Sequence, residues 1–274
     1  MQDNVLSEII QLNIQGMNPG VQKQKINLKA LSDIVTASST KVPFVVLTET
    51  HLKDYILDAE VQIPSYNILR ADRAKRRQGG VAIYFHHSYS VDDREVFSNQ
   101  FCECAMSYNK QHNLVVLGVY RPPDTPTEKF TECLHTMKQF LHKYKDSTTL
   151  IFGDLNLKFI DWPTETIKKP INIKQTISSE ERISSHMLLD FVSENLMVQM
   201  VTENTRKGKS ILDLILTNDD DFIFDVTVEE TNLDTDHDVV KCRIYNDLMS
   251  GDVHPPPQSE KRSIDELNFY QALK

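Results

Sequence analysis

The sequence predicts an α/β (α+β) protein: a four-layer α/β sandwich, two packed mixed β-sheets flanked by helices. Short apolar runs of strand length recur from residue 5 to residue 244. Three segments with helical spacing interrupt them. Residues 90–119 hold three strand-like runs with no helix between them, which excludes a purely parallel sheet. The folded domain is expected over residues 1–250, and residues 251–274 are expected to be a Pro-containing linker and the start of a following segment.

The elements follow in order. Residues 5–14 alternate weakly and end at Asn13, giving a first strand that runs into a Gly/Pro loop at 17–20. Ile26, Leu28, Leu31, Ile34 and Val35 share one face of a helix over 22–37. Residues 43–47 form a buried strand followed by Glu49. The run from Arg70 to Arg77 reads as a basic loop, and residues 79–85 as the strand after it. A meander over 90–97, 101–108 and 112–119 leads to a helix over 127–144, with Phe130, Leu134, Met137, Phe140 and Leu141 on one face. Residues 150–152 are a buried strand, and 180–196 a third helix with a Ser-x-x-Glu start. Strands at 211–217, 222–229 and 237–244 close the domain.

Composition bounds the function. The chain has 274 residues, 40% hydrophobic and 25% charged, enough for a sizeable core. A net charge of −9 argues against a non-specific nucleic-acid coat protein but not against a nuclease, whose metal site itself needs carboxylates. Local basic surfaces are expected at Arg70, Arg73, Lys75, Arg76 and Arg77 and at Arg206, Lys207 and Lys209. The four cysteines lack C-x-x-C spacing and read as reduced thiols of an intracellular protein. No apolar run has the length of a membrane span, and no secretory signal is seen.

Polar residues stand where packing alone would place Val or Ile. In Gly153-Asp154-Leu155-Asn156 a plain turn is one reading. The other is chemical: Asp154 activates a water and Asn156, two residues on along extended backbone, faces the same site. Glu49 is either a solvated strand end or a hard oxygen ligand for magnesium; His51 beside it reads as incidental. Asp213 interrupts Ile211-Leu212-Asp213-Leu214-Ile215-Leu216, where an unpaired carboxylate is costly. His237, among Asp234, Asp236 and Asp238, is biased toward the imidazolium that stabilises a pentavalent phosphate, with Asp213 as the group that holds the ring. Tyr120 and Asn13 would each pass as packing and turn residues if alone.

Seven motifs occur in order: LNIQG, LTETHL, RADRAKRRQGGVAIYF, VYRPP, IFGDLNLKFIDW, SILDLILTN and TDHDVV. Together they resemble the endonuclease/exonuclease/phosphatase superfamily, and within it the endonuclease domain of non-LTR (LINE-type) retrotransposons, similar to apurinic/apyrimidinic endonucleases. The resemblance runs from about Ile10 to Val240. It implies Glu49 as the principal Mg2+ ligand (Mn2+ the alternative), with Asn13 beside it and Asp236 linked to the metal. It implies Asp154 as activator of water supported by Asn156, Tyr120 near the phosphate, and His237 held by Asp213. Thr235 stands where many relatives have Ser. DNA contact is expected from Arg73, Arg76, Arg77, Arg121, Arg206, Lys207 and Lys209.

The implied activity is Mg-dependent nicking of one strand of double-stranded DNA, leaving a 3′-hydroxyl that primes reverse transcription. A reverse transcriptase domain is the implied partner on the full-length polypeptide and the nucleus the implied site of action. The rivals are an abasic-site endonuclease or another phosphoesterase of the same fold, and a recruited domain that binds nucleic acid without catalysis.

Overall fold

Alternate residues of the central strands are buried on opposite faces, so each strand serves two apolar layers at once. The computed structural model describes residues 7–38, 40–75, 78–168, 177–244 and 248. The expected linker and following segment at 251–274 lie outside the described residues.

The elements run β1 (Ser7–Asn13), α1 (Gln22–Ala37), β2 (Phe44–Thr48), β3 (Tyr66–Ala71), β4 (Val81–His86), β5 (Asp93–Ser98), β6 (Glu103–Asn109) and β7 (Leu114–Tyr120). They continue with α2 (Thr127–Lys143), β8 (Thr148–Asp154), β9 (Ile160–Asp161), β10 (Thr166–Ile167), α3 (Ser179–Glu194), β11 (Val198–Gln199), β12 (Asp213–Thr217), β13 (Ile223–Glu229) and β14 (Val239–Ile244). Two six-stranded mixed sheets result, ordered β13-β14-β1-β2-β4-β3 and β11-β12-β8-β7-β6-β5.

Between the sheets lie Ile9, Phe44, Val46, Val81 and Ile83 from the first and Leu114, Val116, Leu150, Phe152 and Ile215 from the second. On the outer face of the first sheet, Ile10, Leu12, Val45 and Leu47 pack with Leu31 and Val35 of α1. On the outer face of the second, Val115, Leu117, Val119 and Ile151 pack with Phe130, Met137 and Phe140 of α2 and Leu188 and Phe191 of α3. The layer order helix, sheet, sheet, helix is the architecture that the sequence predicts. Helix α3 starts as the Ser-x-x-Glu pattern requires: the Ser178 hydroxyl accepts from the Glu181 backbone N–H at 3.0 Å.

Strand β3 corrects the reading of residues 70–77 as one loop, since Arg70 and Ala71 belong to it. Its interior residues are only half-buried or exposed, as at a sheet edge, so it lacks the apolar run that marks the central strands.

Glycines set two close approaches. A Cβ on Gly153 would fall 2.1 Å from the Val119 carbonyl oxygen, so the parallel pairing of β8 with β7 requires glycine there. A Cβ on Gly118 would fall 2.8 Å from Val81 Cγ1 and 2.9 Å from Val46 Cγ1, across the gap between the sheets. Among the described residues, no helix is long and apolar enough to cross a membrane.

Candidate active site

Strand register brings the polar strand ends together. Strands β1 and β2 are parallel with Asn13 opposite Thr48, so Asn13 and Glu49 emerge at the same end of the first sheet. In the second sheet Asp154 is the register partner of both Tyr120 on parallel β7 and Asp213 on antiparallel β12. Three neighbouring side chains therefore share one face, the inner one, because Phe152 and Ile215 two residues away lie between the sheets. Strand β14 runs antiparallel to β1, which returns His237 to the same end. The Thr235 hydroxyl fixes that return by donating to the Asn13 carbonyl (2.8 Å) and accepting from the His237 N–H (3.1 Å).

The Gln15 backbone N–H donates to Asn13 Oδ1 at 3.2 Å. Asn13 Nδ2 then donates to Glu49 Oε1 at 3.0 Å and to Asp154 Oδ2 at 2.8 Å. One amide thus bridges carboxylates from both sheets. His237 Nδ1 lies 2.7 Å from Asp213 Oδ2, and its Nε2 lies 3.9 Å from Asp154 Oδ2 and 3.7 Å from Asp236 Oδ1. Asp236 is held by Arg206 Nε at 2.8 Å and Gln15 Nε2 at 2.5 Å. The Tyr120 hydroxyl bonds Glu49. Asp154, Asp213 and His237 are buried, while Glu49, Asp236 and Arg206 reach the surface on the open side.

This arrangement sorts the titrating groups. Burial pushes the Asp154 carboxyl well above its usual range, and the Asp213 and Glu49 charges add to that. Burial opposes charge on His237, yet Asp213, Asp154 and Asp236 outweigh it and raise its pKa to about 9. Burial also opposes charge on Glu49, but bonds from His51, Asn13 and Tyr120 prevail and lower its pKa. The Tyr120 phenol is pushed up by burial and by Glu49 and Asp154, so it stays protonated as a donor.

Residues 114–241 match the family model described as endonuclease-reverse transcriptase. Among solved structures, the endonuclease domain of TRAS1, a telomere-specific non-LTR retrotransposon, superimposes with a TM-score of 0.58 at 15% identity, over 87% of this chain and 98% of that one. The 3′-5′ exonuclease NExo from Neisseria meningitidis gives a TM-score of 0.63 at 16% identity, over 86% and 99%. An AP endonuclease from Archaeoglobus fulgidus gives 0.58 at 13%, over 86% and 98%. The chain shares the fold of these nucleases, and its residues 114–241 match the endonuclease-reverse transcriptase model. A search of curated protein sequences gives no match.

The donor set fits a hard divalent cation at Glu49, an oxygen ligand kept ionised and partly open to solvent. Ligand atoms of Asp154, Asp213 and His237 also lie within 4.8 Å of one another. That trio suits magnesium less well, since the imidazole is a nitrogen ligand already bonded to Asp213. Asn13 is oriented with its oxygen on the Gln15 N–H, so its amide hydrogens face the carboxylates. Asn156 corrects an expectation. Strand β8 stops at Asp154, and Asn156 sits in left-handed backbone (φ +52°) with its N–H turned back to Asp154 Oδ1 at 3.0 Å. Its Nδ2 donates to the Arg121 carbonyl at 3.0 Å.

The expected DNA-contacting residues divide. Arg73 is buried in a two-pronged pair with Glu103 (2.6 and 2.7 Å), its guanidinium carbon 5.5 Å from the centroid of the Tyr120 ring. Gly79 leaves room for it, since a Cβ there would fall 2.5 Å from Arg73 Cζ. Arg121 is buried over the Phe130 ring and donates to the Leu155 carbonyl. Neither arginine can reach a DNA phosphate, which corrects both expectations. Arg76 and Arg77 lie outside the described residues. Arg206, Lys207 and Lys209 do sit at the surface beside the site. Their turn is anchored by buried Thr205, whose hydroxyl accepts from the Leu212 and Asp213 N–H groups.

Arg73→Met would leave Glu103 charged and unpaired in the core. The expected cost is about 3–5 kcal/mol of unfolding free energy, read from urea denaturation with an unchanged slope. The double variant with Glu103→Leu should recover much of it, and no recovery would show that the pair is not the source of the loss.

Four residues that touch the site were not singled out by the sequence: Gln15, Gln24, Glu103 and Thr205. Gln15 lies inside LNIQG and could have been found from that motif. Glu103 pairs across 30 residues of sequence and left no local signal.

Proposed function

We propose that the protein is a Mg-dependent DNA endonuclease (Mn2+ as an alternative metal) that hydrolyses one phosphodiester of double-stranded DNA and leaves a 3′-hydroxyl. The observation that carries this reading is the single Asn13 amide joining Glu49 of one sheet to Asp154 of the other, beside the Asp213–His237 pair. Asp154, its carboxyl pushed up, is suited to take the proton of an attacking water. His237, charged below pH about 9, faces the negative charge that builds on phosphorus-bound oxygen. Tyr120 supplies a phenolic donor to the same centre. A divalent cation bound at Glu49 would polarise the phosphate and stabilise the leaving oxygen. Asp236 orients Arg206 at the rim, and Lys207 and Lys209 extend a cationic edge for backbone phosphates.

The endonuclease-reverse transcriptase match and the TRAS1 likeness support a retrotransposition role, in which the 3′-hydroxyl primes a reverse transcriptase domain of the full-length polypeptide. The nucleus is the site of action that this role requires. The AP endonuclease likeness favours one second reading, incision at abasic sites. The test is supercoiled plasmid with Mg2+ or EDTA, beside a duplex carrying one abasic site. Conversion of intact plasmid to open circle only with Mg2+ supports the first reading. Incision confined to the abasic duplex supports the second. No cleavage of either substrate with Mg2+ or Mn2+ would leave a nucleic-acid-binding domain without catalysis.

A further inference from the structure

Glu49 is gripped on both oxygens, and the second grip comes from a residue that reads as incidental in the sequence. His51 is buried, in left-handed backbone (φ +56°), with its N–H on the Gly79 carbonyl at 2.9 Å. Its Nε2 lies 3.3 Å from Glu49 Oε2, and its Nδ1 lies 3.2 Å from Gln24 Nε2 on α1.

The proton on this ring can be placed by elimination. A backbone N–H only donates, and that of Asn18 points to Gln24 Oε1 at 3.1 Å. The oxygen end of Gln24 is thereby fixed, so the end facing His51 is the NH2 group, which also only donates. Nδ1 must then accept through its lone pair, and the ring hydrogen sits on Nε2, aimed at Glu49. Gly16 leaves room for the relay: a Cβ there would fall 2.3 Å from Gln24 Cδ and Nε2. The opposite grip has the same logic, with the Gln15 N–H fixing the Asn13 amide. Two backbone N–H groups of the loop after β1 thus dictate that Asn13 and His51 each present a hydrogen to Glu49.

We propose that His51 is a positioning residue, held as the Nε2–H tautomer by the Asn18–Gln24 relay, that fixes the Glu49 carboxylate for a divalent cation. The cation rests on the function proposed above; the tautomer does not. Partners of this kind orient ligands, and losing one typically weakens metal binding about 10–100-fold.

The test uses side-chain nitrogen NMR of the metal-free chain at neutral pH, the His51 signals assigned by their loss in His51→Gln. The expected spectrum shows a protonated Nε2 and a bare Nδ1. Gln24→Glu, of nearly the same shape, replaces the donor by an acceptor and should bring a proton onto Nδ1. A protonated Nδ1 in the wild type, or a bare one in Gln24→Glu, would overturn the relay. Mn2+ titration calorimetry reads the consequence. His51→Phe should bind about tenfold or more weakly, and His51→Gln, which restores a donor, more nearly like wild type. Equal affinity of wild type and His51→Phe would overturn the positioning role. No Mn2+ binding by the wild type would instead sink the metal reading of the site, with the spectra still deciding the relay.

Discussion

Asp154→Asn is expected to abolish plasmid nicking, a loss on the order of 10³-fold or more, while the protein stays folded. Asparagine keeps the shape and can still accept the Asn156 N–H, but it cannot take a proton from water. Its amide also turns a donor toward the donor Asn13 Nδ2, which sat 2.8 Å from the carboxylate oxygen. The fold should survive because the substitution removes a charge that burial disfavours. Urea denaturation of Asp154→Asn should therefore match or exceed wild type while open-circle formation stops. Nicking within about tenfold of wild type would show that Asp154 is not the base.

The second large effect concerns His237 and has a pH signature. Its folded pKa of about 9 lies above the roughly 6.5 of an unfolded histidine. The protonated ring thus stabilises the fold fully below pH about 6.5, and that contribution fades as pH rises through about 9. In EDTA the wild type should lose about 2–3 kcal/mol over that window relative to Asp213→Asn, which lacks the main carboxylate holding the proton. His237→Ala should do more harm, since it strands the buried Asp213 carboxylate; about 3–5 kcal/mol of stability and about 10²-fold or more of nicking should go. A wild-type stability profile parallel to that of Asp213→Asn between pH 6.5 and 9.5 would sink the assignment of a charged imidazole.

The sequence carried the central strands, the helices and most of the site for one physical reason. Between two helix-covered sheets the interior strands are apolar on both faces, so Asn13, Asp154 and Asp213 stand out against Ile, Val and Phe. Where that contrast fails, legibility fails. Strand β3 carries Asn67 and Arg70 and reads as loop. Arg73 and Arg121 carry charges that signal surface, yet one is neutralised by Glu103 and the other lies over Phe130. Asn156 looked like a strand residue because spacing does not reveal the left-handed turn after Asp154. His51 and Gln24 matter only through hydrogen-bond direction, which a one-dimensional pattern does not encode.

Strand β14 lies beside β1, and Thr235 ties the approach to His237 onto the carbonyl of Asn13. The earliest described strand and one of the last are therefore neighbours across the site. On the ribosome this order has a consequence. A nascent chain exposes Asn13, Glu49, Tyr120 and Asp154 long before His237 leaves the exit tunnel, so no fragment ending upstream of β14 can assemble the constellation. Premature termination before His237 yields a product that lacks the imidazole paired with Asp213.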